Sequence, residues 1–213
     1  MSAVACLQVL LFGGGLTATL QGGEISRNNA TFAVAVLANS TLVINNTMFN
    51  NNKCNKCAVF GSIQSDTVIS GASFVGNQAD RQGGAVFLYR SQALMNNTTF
   101  LNNTAAEGGG ALWATANTSV AAFACNFTAN ISPQGAVVAQ GNSSLTFTDS
   151  VLHGNMARPL AQVDWDAVVL GDFMKLGFGG AISTWESTLK LVNTNLTNNT
   201  AVIDGGECIG SSG

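Results

Sequence analysis

The sequence predicts an all-β solenoid of about seven coils, each roughly 25 residues long and built from short strands that stack in parallel on those of the next coil. Three observations carry this expectation. An apolar residue is followed three positions later by asparagine at Ile25 and Asn28, Phe49 and Asn52, Phe74 and Asn77, Phe100 and Asn103, Phe127 and Asn130, Leu152 and Asn155, and Leu196 and Asn199. Successive apolar markers lie 24, 25, 26, 27, 25 and 44 residues apart, so a single interval departs from the period. Upstream of each marker the inward residues alternate with a period of two, which suits a strand, whereas a helix repeats at three and four.

The strands before the marker come first. Seven residues before it stand Ala18, Leu42, Thr67, Ala93, Val120, Leu145 and Leu189. Five before it stand Leu20, Ile44, Ile69, Met95, Ala122, Phe147 and Leu191, and two before it the small residues Gly23, Thr47, Ala72, Thr98, Cys125, Ser150 and Thr194. Beyond the asparagine, four or five mostly polar residues lead to Gly83-Gly84-Ala85, Gly109-Gly110-Ala111, Gly179-Gly180-Ala181 or the shorter Gly135-Ala136. Glycine permits the sharp backbone that a corner needs. Apolar runs such as Ala85 to Leu88 follow as another strand, giving two or three strands per coil. Val9 to Phe12 reads as the first coil's strand, with Gly13 to Gly15 as its turn, and Asp204 to Glu207 reads as the opening of a further coil. Residues 1–213 are thus expected to form one solenoid segment with more coils beyond both ends.

A coil of this size buries no face alone, so stacking at about 4.8 Å per coil places equivalent residues above one another. Phe49, Phe74, Phe100 and Phe127 then form an aromatic column. Asn52, Asn77, Asn103, Asn130, Asn155 and Asn199 form an amide ladder that can also satisfy backbone groups at a corner.

Composition narrows the partners. Charged residues make up 9% of the chain and hydrophobic residues 46%, with a mean hydropathy of +0.28, so solubility rests on Asn, Ser, Thr and Gly. A net charge of −3 with eight scattered Lys and Arg offers no basic stripe, and nucleic acid is not an expected partner. No apolar run approaches the roughly 18 residues of a transmembrane helix. Asn-x-Ser/Thr motifs occur at Asn29, Asn39, Asn45, Asn96, Asn97, Asn102, Asn117, Asn126, Asn130, Asn142, Asn195 and Asn198, against about four expected by chance. Asparagine-rich corners followed by threonine generate such motifs by themselves; a secreted glycoprotein is the other reading. Asn130, on the inward ladder, is expected to stay unmodified.

Cys54 and Cys57, flanking Asn55-Lys56, fall where other coils carry Gly-Gly. A small disulfide, two free thiols and half a zinc site are all open readings. No second Cys/His pair completes zinc ligation, so neither a metal nor a cofactor is expected. Cys125 falls in the small inward column and reads as a packing residue.

Phe74 to Asn77 with Gly83 to Val86, Phe100 to Asn103 with Gly109 to Leu112, and Gly179 to Ile182 with Leu196 to Asn199 together resemble the polymorphic outer membrane protein repeat of chlamydial autotransporter surface proteins. The resemblance covers roughly residues 18–207. It implies a right-handed parallel β-helix at a cell surface or outside the cell, outer membrane-associated if bacterial, with adhesion as its role. Nothing in the chain resembles that family's membrane-anchoring barrel.

The 44-residue interval implies an insertion over roughly residues 156–177. Within it Asp164, Trp165, Asp166 and Asp172 are the candidate binding residues, since carboxylates flanking an indole face suit a sugar or a cation. A loop folded over the coil, with Trp165 as a buried anchor, is the structural alternative. Parallel β-helices include polysaccharide lyases and glycosidases, whose chemistry needs clustered carboxylates. Asp66, Asp80, Glu107, Asp149 and Asp204 instead fall singly in corners, as does the one histidine, His153. No catalytic residue is assigned. The expected function is a surface-exposed or secreted scaffold with an adhesin-like binding role toward glycans or cell-surface proteins. The alternative is a carbohydrate-active enzyme using Asp164, Asp166 and Asp172.

Overall fold

The computed structural model describes residues 8–31, 33–56, 58–158, 179–203 and 207–209. Each coil contributes one strand to each of four sheets. The first sheet collects Gln8–Gly13, Ala33–Ala38, Phe60–Ile63, Val86–Tyr89, Leu112–Thr115, Val137–Gln140 and Ile182–Trp185. The second collects Thr17–Gln21, Thr41–Asn45, Asp66–Ser70, Gln92–Asn96, Ser119–Phe123, Ser144–Thr148 and Thr188–Val192. Three-residue strands centred on the apolar markers, from Glu24–Ser26 to Asn195–Thr197, make the third. Two-residue strands such as Gln78–Ala79 and Thr104–Ala105 lie just beyond the ladder asparagines and begin the fourth. We number the coils 1 to 7 from the first-sheet strand of each.

Pairing between coils is parallel and in register, with Phe49, Phe74, Phe100, Phe127 and Leu152 as direct partners in the third sheet. The architecture is therefore all-β and solenoidal. It has four strands per coil, not two or three. In coils 1 to 6 the fourth is only two residues long, too short to show any alternation that a sequence pattern could reveal.

The core runs up the axis. Phe49, Phe74, Phe100 and Phe127 stack with ring centroids 4.6, 5.0 and 4.5 Å apart and planes within 8° of parallel, and Phe147 closes edge-on against Phe127. Facing them are Phe60, Val86, Leu112 and Val137 of the first sheet and Ile44, Ile69, Met95 and Ala122 of the second, all fully buried. At the Gly-Gly corners the two glycines do different jobs. Gly109 has φ +63°, and a Cβ on Gly110 would stand 2.6 to 2.8 Å from the backbone of Ile131 in the next coil. One glycine makes the turn and the other admits the neighbouring chain.

Two boundaries differ from expectation. Met156–Ala157 is a fourth-sheet strand paired with Ile131–Ser132 and Thr200–Ala201, so the first two residues of the expected insertion belong to coil 6. Glu207–Ile209 does not open a new parallel coil. It runs antiparallel to Thr200–Ile203, satisfying that strand's free edge from within the same coil.

Candidate functional site

Three tight corners separate the four sheets within a coil, and at each of them a residue takes positive φ. At the third corner the residue is Arg27, Asn51, Gly76, Asn102, Ala129, Gly154 or Asn198, one per coil. Immediately behind it stands the ladder asparagine. In coil 3, the backbone N–H and Nδ2 of Asn77 both donate to Oδ1 of Asn103 at 3.0 Å, and Nδ2 also donates to the carbonyl of Phe49 at 2.8 Å. Its own Oδ1 accepts from the N–H and Nδ2 of Asn52 at 3.1 Å. The same pattern recurs at Asn103 and Asn130. Asn130 is fully buried with its amide engaged on both sides, which closes its acceptor motif in the folded chain.

The second corner is backed by the small column. Thr98 Oγ1 donates to the carbonyl of Asn96, and Cys125 Sγ lies 3.3 Å from the carbonyl of Phe123. Burial pushes the Cys125 thiol from 9.0 up to about 11, because the surrounding apolar core disfavours the thiolate.

The first corner carries a further ladder that the sequence reading missed. Ser40, Ser65, Ser91, Thr118 and Ser143 are buried. Each hydroxyl oxygen accepts the ladder residue's N–H from the coil before, as from Ser40 to Ser65 at 3.1 Å and from Ser65 to Ser91 at 3.3 Å. A signal was available: these residues and Ser187 all stand nine positions before the apolar marker.

This corner alone varies in length among the three. Coils 2, 3, 4 and 7 turn on one residue of positive φ, namely Asn39, Gln64, Arg90 and Glu186. Coils 5 and 6 use two, Ala116-Asn117 and Gly141-Asn142, and coil 1 uses Gly14-Gly15. The hydroxyl follows the change. Ser40, Ser65 and Ser91 donate to the carbonyl two residues back, whereas Thr118 and Ser143 donate three back.

Along this edge the first corners of coils 1 to 4 bound a recess of about 450 Å³. Asn39, Thr41, Gln64, Asp66, Arg90 and Gln92 line it. Each of these side chains is solvent-facing, and the Arg90 guanidinium sits 5.1 Å from the centroid of the Tyr89 ring. Asp66 is the only carboxylate in the lining. Further along the same corner the side chains bond one another: Asn142 Nδ2 donates to Asn117 Oδ1 at 2.8 Å and the Ser144 hydroxyl meets that of Ser119 at 3.2 Å. A second recess of about 270 Å³ lies on the outer face of the first sheet against Val138, Ile182 and Trp185.

Asp164, Trp165, Asp166 and Asp172 lie outside the described residues, as does Cys57, so their site and the Cys54 to Cys57 pairing lie outside them too. Cys54 itself is fully buried in the strand Lys53–Cys54, in register with Ala30 and Ala79. It is therefore a ladder position of the fourth sheet, aligned with Ala79 and not with the Gly83-Gly84 corner that follows Ala79. His153 faces outward from the third sheet, with Nδ1 2.8 Å from Thr197 Oγ1. Asp80 and Glu107 form exposed ion pairs with Lys53 and Arg81 at 3.7 and 3.3 Å, the kind worth about 0 to 1 kcal/mol. Among the described residues no three His, Cys, Asp or Glu side chains gather as a metal site, and no helix is long and apolar enough to cross a membrane.

No curated protein matches the sequence. A family model does: that of the right-handed β-helix region matches residues 9–201, from the first strand of coil 1 into the fourth-sheet strand of coil 7. With its parallel sheets and its asparagine, serine and phenylalanine columns, the chain belongs to the right-handed β-helix family.

Proposed function

We propose that the chain is the binding segment of a surface-exposed or secreted protein, an adhesin-like scaffold of the kind implied by its resemblance to the polymorphic outer membrane protein repeat. The observation that carries this reading is the contrast between an interior whose polar groups bond one another and a recess whose polar side chains face solvent. A side chain already oriented by a rigid backbone and not spent on internal bonds is suited to meeting a partner. The lone carboxylate in the recess favours recognition over hydrolysis, since glycosidic cleavage uses two carboxyl groups about 5 to 10 Å apart. Nine of the twelve acceptor asparagines are exposed, which agrees with passage through a glycosylating compartment. The test is retention of the fluorescently labelled chain by intact epithelial cells and by immobilised extracellular matrix. Saturable retention displaced by unlabelled chain is expected. Retention that rises linearly with concentration on both surfaces removes the reading.

A further inference from the structure

Resting on the binding role proposed above, we infer that the first-corner recess holds a neutral, hydroxyl-rich oligosaccharide laid along the solenoid axis. Four observations lead there. The lining mixes groups that both donate and accept, the amides of Asn39, Gln64 and Gln92 and the hydroxyl of Thr41, with one pure acceptor, Asp66, and one pure donor, Arg90. Neighbouring sugar hydroxyls present that same mixture. A polyanion would meet Asp66 and a polycation would meet Arg90, so the balanced pair selects against both.

The backbone supplies the second observation. The corner N–H groups are already spent between coils, Asn39 on the Ile63 carbonyl, Gln64 on that of Tyr89 and Arg90 on that of Thr115. An extended peptide adding itself as a strand needs free backbone groups. Here recognition falls to side chains, which suits a ligand whose polar groups project laterally.

Spacing is the third. Asn39, Gln64 and Arg90 occupy equivalent positions on successive coils, so they recur at about 4.8 Å, close to the advance of one unit in an extended β-linked glycan. Successive sugars would meet successive coils in one register. The fourth is size and pre-organisation. A volume of about 450 Å³ falls within the range of small-ligand sites and suits about two to three pyranose rings. Stacking of the Arg90 guanidinium on Tyr89 restrains the longest side chain of the set before any ligand arrives.

The experiment is calorimetric titration of the full chain with cellotriose, maltotriose, chitotriose and, as the anionic control, trigalacturonate. At least one neutral trisaccharide is expected to bind with Kd in the millimolar range or below. Asp66→Ala and Arg90→Ala are each expected to weaken it about tenfold, the scale of one hydrogen bond to a charged group. Trp185→Ala, on the second recess, is expected to leave it unchanged. A glycine inserted between Gln64 and Ser65 gives coil 3 the two-residue corner that coils 5 and 6 already have, so the chain is expected to keep its β circular dichroism and lose binding. Three outcomes overturn the inference: no neutral trisaccharide binds, binding survives the insertion, or trigalacturonate alone binds. Failure here is separable from failure of the adhesin-like reading. Saturable retention by cells that no neutral trisaccharide displaces, and that Asp66→Ala leaves intact, overturns the sugar and keeps the surface role.

Discussion

At the third corner every coil turns on one residue backed by an asparagine, whereas at the first corner the turn is one residue in some coils and two in others, backed from coil 2 onward by a serine or threonine. The difference follows from the side chains. A primary amide offers two donors and an acceptor in one plane, and all are used at fixed points on two neighbouring coils, so any change of turn length would break several bonds. A hydroxyl has a single rotatable donor and reaches a carbonyl either two or three residues back. One corner is rigidly uniform and the other tolerates an extra residue. Surface relief, and with it the recess, arises on the tolerant edge.

The contrast can be broken or sharpened by substitution. The largest effect is expected from Asn103→Ala, which takes the acceptor from both Asn77 donors and the donor from the Phe74 carbonyl and Asn130 Oδ1, all in the buried core. A loss of about 5 kcal/mol in urea denaturation follows from leaving several buried groups unsatisfied. Next comes Phe100→Ala, which opens a gap between rings 5.0 and 4.5 Å away and is expected to lose about 4 kcal/mol; an unchanged melting temperature would show that the aromatic column contributes nothing.

At the second corner the effect is conditional on pH. The Cys125 thiol is raised from 9.0 to about 11, so folding holds it neutral. Its contribution is fully present below pH 9.0 and is lost as pH rises through about 11, a fall of about 3 kcal/mol. Cys125→Ser, matching Ser150 in the same column, is expected to abolish that alkaline fall; a fall that persists in the variant would assign it to another group. Ser91→Ala tests the tolerant corner directly. It leaves the Ser65 N–H without its acceptor and is expected to lose about 1.5 kcal/mol, well short of Asn103→Ala; equal losses would erase the distinction between the corners. The smallest effect is a gain. Ala129 holds φ +53° at the third corner, where other coils place Gly76 and Gly154, and Ala129→Gly is expected to add about 1 kcal/mol to the unfolding free energy.

What could be read from the sequence was whatever recurs in one residue class at one register. Phe49, Phe74, Phe100 and Phe127 announce the third sheet because few positions are both aromatic and periodic. The serine column is as regular, yet serine is common in any turn, so its recurrence at nine before the marker does not stand out. The recess was illegible for a geometric reason. Its lining is gathered from four coils, and the corner lengths themselves are obscured: coil 6 hides its extra residue, since the step from Ser132 to Val137 is five residues where Ala105 to Leu112 takes seven, leaving the interval from Phe127 to Leu152 at an ordinary 25. Asp66 read as a solvated corner residue; it is exposed, but it opens the second-sheet strand Asp66–Ser70, and which residues share its surroundings is set by stacking between coils that local sequence does not display.

The asparagine column also has a sense of travel. From Asn52 to Asn199 every ladder Oδ1 accepts hydrogen bonds from the winding before it, so the carbamoyl dipoles add head to tail and each polarises the next. A whole winding can be duplicated or removed and the circuit still closes, because donor again meets acceptor. Whole windings can therefore be added or removed without breaking the circuit, and added residues are tolerated where they leave the asparagine register intact, as Asn155 bonding Asn199 across the 44-residue interval shows.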